Sequence, residues 1–97
     1  MYEIGKLTSI SSIAKKMSKR ALYILEDHKN LRSDVILMLC QYITALGAIE
    51  SSIWHIKDNS GDREMCMVLY MMTKESIGHA TIIERDLTEC GIILQEQ

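Results

Sequence analysis

Apolar residues recur along this chain at helical spacing in three stretches, separated by two short polar breaks. In the first stretch, Ile10, Ile13, Ala14, Met17, Ala21, Ile24 and Leu25 follow the i, i+3, i+4, i+7 pattern and share one side of a helical wheel. Lys15, Lys16, Lys19 and Tyr23 fall opposite them. Thr8 or Ser9 can cap the exposed amides of a first turn, so the pattern predicts a helix over 8–28.

The second stretch is the most regular. Val35, Leu39, Tyr42, Leu46, Ile49, Ile53 and Ile56 are spaced 4, 3, 4, 3, 4, 3, an alternation of a and d positions over three heptads. Such a seam interlocks with another helix. Ile36, Leu37, Met38, Cys40, Ile43 and Ala45 make the first half apolar on other sides too, so this helix, over 34–57, needs more than one neighbour. Ser33 offers an N-cap, and Asp34 suits the positive helix N-terminus.

Asn59-Ser60-Gly61 marks a turn, after which Ser60 or Asp62 can cap a third helix over 62–90. Its main stripe is Met65, Leu69, Met72, Ser76, Ala80, Ile83 and Leu87. Gly91 is placed to stop the helix, with Ile92 folding back as Schellman ends do. Residues 93–97 show no pattern. The fold class is therefore all-α: a three-helix bundle, or a helical hairpin plus one helix, with coiled-coil-like packing in a single domain over 1–97.

Length sharpens this picture. A 97-residue chain buries only about 60–65% of its unfolded surface. The surplus of apolar faces on the second helix then points to self-association, with a homodimer whose second helices form the central seam. Anti-membrane evidence comes from the same stretch. Its most apolar run, 35–49, falls short of the roughly 20 residues a span needs, and extension meets Glu50. Residues 1–7 carry Glu3 and Lys6 and no apolar core, which is not a signal peptide. Cys40, Cys66 and Cys90 are odd in number and widely spaced, which fits reduced thiols in a cytoplasmic protein. Each lies on or beside an apolar stripe, the setting of an inert buried thiol. Zero proline is what long uninterrupted helices require.

Candidate chemistry is sparse. Glu75 and His79 share a helix face, with Glu84 beyond them and Glu50 on the neighbouring helix. Their spacing is Glu-x-x-x-His, whereas helical di-iron sites use Glu-x-x-His pairs, so no metal and no cofactor are expected. Met65, Cys66, Met67, Met71 and Met72 form a sulfur-rich cluster that suits a core or an adaptable partner surface better than copper. No nucleophile elbow or glycine-rich phosphate loop occurs, and enzymatic activity is not expected.

Binding remains. Lys15, Lys16, Lys19 and Arg20, with Tyr23 among them, form a basic face suited to an acidic partner, although the net charge is −2. Trp54, the single tryptophan, lies off the heptad seam, where it either caps the core at the bundle's end or anchors a partner. The expected function is a protein-binding module: a regulator, adaptor, chaperone or inhibitor. The alternative is a DNA-binding regulator with a degenerate helix-turn-helix around Gly47, since Leu46, Ile53 and Ile56 sit at matching offsets. Against it, Ile43 stands where that motif needs a small residue, and Lys57 is the only full positive charge on the would-be recognition helix.

Overall fold

The periodicity resolves into three long helices and no strand among the described residues, which are 4–95 of a computed structural model. They are α1 (Ile4–Leu25), α2 (Ser33–Asp58) and α3 (Arg63–Glu89), with a single 3-10 turn, His28–Asn30, between the first two.

Hydrogen bonding decides where each helix begins and ends. α1 starts four residues before the predicted cap. The Thr8 hydroxyl donates back to the Ile4 carbonyl (2.9 Å) and Ser9 to Gly5 (3.1 Å), so both are interior residues bonded to the preceding turn. At the other end Asp27 N–H closes on the Ile24 carbonyl at 3.1 Å, and Asn30 Nδ2 then donates to the Asp27 carboxylate at 2.7 Å. That turn ends α1 at Leu25. Arg32, not Ser33, occupies the N-cap position of α2. Asp34 organises that end: it accepts from Arg32 Nε (3.0 Å) and Nη2 (2.7 Å) and from its neighbour's amide at Val35 (2.9 Å). The Arg32 hydrogen bonds hold the Asp34 carboxyl below its ordinary range.

Two terminal signals act as the spacing predicts. Asp62 caps α3 by accepting from the Met65 amide at 3.0 Å. Gly91 has φ +86°, and the amides of Gly91 and Ile92 reach the carbonyls of Thr88 and Leu87, each at 3.0 Å. These are the two bonds of a Schellman end.

α2 is the middle element and packs against both α1 and α3. The α2–α3 pair is antiparallel. The Cys66 thiol meets the Ile56 and Asn59 carbonyls (3.6 and 3.0 Å) at one end, and Arg32 Nη2 approaches Cys90 Sγ (3.9 Å) at the other. All seven seam residues, Val35 through Ile56, are buried within one chain. The seam is thus closed by the chain's own helices, and these side chains are not available to a second copy in the folded chain.

The core departs from the predicted stripes at three places. In the first half of α3 the buried residues are Cys66, Leu69 and Thr73, while Met65 and Met72 are about half exposed. The Thr73 hydroxyl is satisfied by the Leu69 carbonyl at 2.8 Å, which lets its methyl face the core. In α1, Leu7, Ala14 and Ala21 are buried, whereas Ile13 is 61% exposed. Cys40 and Cys90 are exposed, so only Cys66 is the buried thiol expected of all three.

α2, at 26 residues, is long and apolar enough by length and composition to cross a membrane, which the shorter run 35–49 did not suggest. In the fold it serves as the core helix, with nine residues buried between its neighbours. The segment after α3 also contributes: Leu94 is buried, and Arg20 Nη2 donates to the Ile93 carbonyl at 3.5 Å.

Candidate functional site

The basic residues predicted to bind a partner all lie on the C-terminal half of α1. Lys15, Lys16 and Lys19 are exposed, and Tyr23 is 66% exposed. Arg20 differs from the other three. It is half buried, it bonds the Ile93 carbonyl, and its guanidinium lies 5.7 Å from the Tyr23 ring centroid. Its Nε is buried and has no hydrogen-bond partner among the described residues. Arg20 therefore fastens the C-terminal segment to α1 and orients Tyr23.

Trp54 is 60% exposed, with its ring edge-on to His55 at 5.0 Å. It does not cap the core. It sits near the C-terminal end of α2, and the turn joining α1 to α2 places the basic residues toward the opposite end. The molecule is 48 Å long, so the two predicted contact regions are separate surfaces.

Around Trp54 the structure reveals a surface that apolar periodicity alone did not single out. Between Val35 and Ile56 the exposed residues of α2 are Leu37, Cys40, Gln41, Thr44, Gly47, Ala48, Ser51, Trp54 and His55. None is Asp, Glu, Lys or Arg. Leu37, Gln41, Thr44, Ala48, Ser51 and His55 are spaced 4, 3, 4, 3, 4, a second heptad register on the side opposite the first. The inner seam is built of large apolar side chains, whereas the outer register has small residues, Thr44, Ala48 and Ser51, at its centre. Solvated helix faces ordinarily carry charge, and small residues permit a second helix to approach closely. The signal was present as spacing, but it is carried by Thr, Ala, Ser and Gln, which no hydrophobic pattern registers.

The sulfur cluster also lies outside, apart from the buried Cys66. Met65, Met67, Val68, Met71 and Met72 are all exposed, with Met71 at 67%. They form an adaptable surface on the first turns of α3 instead of a core.

Other chemistry finds little support. Glu75 and His79 are both exposed, and among the described residues no group of three His, Cys, Asp or Glu side chains could hold a metal ion. α2 runs unbroken through Gly47, so the turn that a helix-turn-helix requires is absent at that position.

Among the described residues, Tyr42 is the one titratable group with a large shift. Its side chain is buried at the centre of α2, and desolvation, assisted by the Glu84 charge, pushes its phenol from 10.0 up to about 12. The folded chain holds this proton more tightly than the unfolded chain does. The stabilisation is complete below pH 10 and is lost as pH rises from 10 to about 12. Denaturant unfolding across this range should show that decline in the native protein and a flatter profile in Tyr42→Phe. Equal slopes would place the phenol in water.

No known protein family matches the chain, and no curated protein or solved structure is detectably similar to it.

Proposed function

We propose that this chain is a small cytoplasmic protein-binding module, without enzymatic activity, that works as a homodimer. In this reading two copies meet through the outer faces of α2, and the basic face of α1 takes an acidic protein partner. The observation that carries it is the uncharged outer register, Leu37 to His55, exposed along the full middle of a single chain. With the inner seam already filled, this is the side of α2 left for another helix. Leu37 and Trp54 stand near its two ends and supply large anchors around a small-residue centre. Sedimentation at low micromolar concentration tests the dimer. A concentration-independent 11.1 kDa species would reject it.

The partner surface has its own test. Lys15 and Lys19 are exposed, so reversing charge there should not disturb the core. Lys15→Glu with Lys19→Glu is expected to change unfolding free energy by less than about 0.5 kcal/mol. It should also abolish recovery of an acidic protein partner when the native chain and the variant are purified side by side from the host. If the double reversal unfolds the protein instead, the faces of α1 are inverted.

A further inference from the structure

α1 and α3 leave a groove between them, with α2 as its floor. Its volume is about 380 Å³, within the range of ligand pockets, and its surface is mostly apolar. Ile10 and Met17 form one wall, Ile77 and Ala80 the other, and Tyr42 and Ile49 the floor. One end is occupied by the returning C-terminal segment: Gln95 lines the groove there, Leu94 is buried behind it, and the Arg20 bond to Ile93 pins it. The groove is therefore a slot with a polar end and an apolar length.

Two polar groups in it lack partners. The Tyr42 side chain is only 2% exposed, and among the described residues its hydroxyl makes no hydrogen bond. That hydroxyl is not among the buried polar atoms sealed from solvent, so it opens on the groove. Glu84 is half buried, lines the same groove and makes no ion pair among the described residues. Arg85, next to Glu84 in the chain, lies toward Asp86 at 3.9 Å, and Arg20 Nη2 donates to the Ile93 carbonyl. A half-buried carboxylate beside an unpaired phenol attracts a positively charged donor, and the apolar walls attract hydrocarbon.

We infer that this slot is a binding site for a small amine with an apolar tail. The ammonium donates to the Glu84 carboxylate and the Tyr42 oxygen, and the tail lies between Met17 and Ile77. A carboxylate ligand of the same length is rejected by Glu84, and a neutral alcohol gains only the apolar contacts. This site is independent of the homodimer and of the basic face, since it faces between α1 and α3.

Calorimetric titration of the full chain with octylamine, octanoate and octan-1-ol tests it at neutral pH. Octylamine should bind one per chain, about tenfold or more tighter than octanol, with no binding of octanoate. Glu84→Gln should retain its helix content and octanol binding while losing the preference for the amine. Tyr42→Phe should weaken octylamine a few-fold. Methyl resonances of Ile10, Ile49 and Ile77 should shift on titration, which keeps the site testable if a variant misfolds. Octanoate binding as tightly as octylamine would overturn the inference. So would absence of octylamine binding up to its solubility, uptake of many amines per chain, or an amine preference that survives Glu84→Gln.

Discussion

Leu46→Asp is expected to unfold the isolated chain. Leu46 is 4% exposed and lies at the middle of the inner seam, between Tyr42 and Ile49 on the α2 face covered by α1 and α3. Removing a buried leucine of this kind costs about 2–5 kcal/mol from lost contacts and the cavity left behind. The aspartate adds the desolvation of a carboxylate, or the work of protonating it at neutral pH. Domains of this size are held together by about 5–15 kcal/mol in total. The combined cost therefore consumes most or all of the stability. Circular dichroism should show collapse of the helical signal at concentrations where the native chain is fully folded. The alternative outcome is informative. If Leu46→Asp stays helical but merely loses self-association, the seam works between chains instead of within one.

That test bears on how far the sequence could be read. The inner seam was legible because its seven positions carry large apolar side chains at unbroken heptad spacing, and all seven are buried. Asp62 and Gly91 were legible because capping chemistry is local: a carboxylate three residues before an open amide, and a glycine at positive φ. Thr8 was not, because a threonine near a helix start can accept from a forward amide or donate to a backward carbonyl. Only the helical state of residues 4–7 chooses. The first half of α3 was ambiguous for a different reason. Met65, Cys66, Met67 and Val68 are consecutive and apolar, so periodicity cannot say which points inward. Moving one residue along turns the face by about 100°. The contact of Cys66 with the carbonyls at the end of α2 settles it, and that contact is tertiary.

The proposed contact surfaces divide the same way. The exposed lysines and Tyr23 follow from the amphipathic pattern of α1. Arg20 does not, because its role depends on the C-terminal segment returning across more than 70 residues of chain. The slot around Tyr42 and Glu84 needs all three helices in place before it exists. Tyr42 reads from spacing as one more seam residue, and its unpaired hydroxyl is visible only when its neighbours are known.

The outer register of α2 carries the second large prediction. Ala48→Glu should leave the chain folded and take the proposed homodimer apart. Ala48 is exposed, so no core contact is lost, and glutamate is a good helix former. Gly47 and Ala48 lie at the centre of the uncharged face, midway between Leu37 and the last turn of α2. In a two-fold arrangement centred there, residue 48 of one copy lies near residue 48 of the other, whether the helices run parallel or antiparallel. The substitution then sets two carboxylates against each other in a contact that small residues had made close. Like-charge juxtaposition at an interface costs several kcal/mol, so association should weaken by about 100-fold or more. Sedimentation measures the association, and circular dichroism checks that the helices persist. Arginine at the same position distinguishes repulsion from bulk: Ala48→Arg mixed with Ala48→Glu should restore a heterodimer that neither forms alone. Dimers that survive both single substitutions unchanged would move the interface away from α2. The exposed methionines of α3 would then be the surface to test next, by Met71→Lys with Met72→Lys in the same assay.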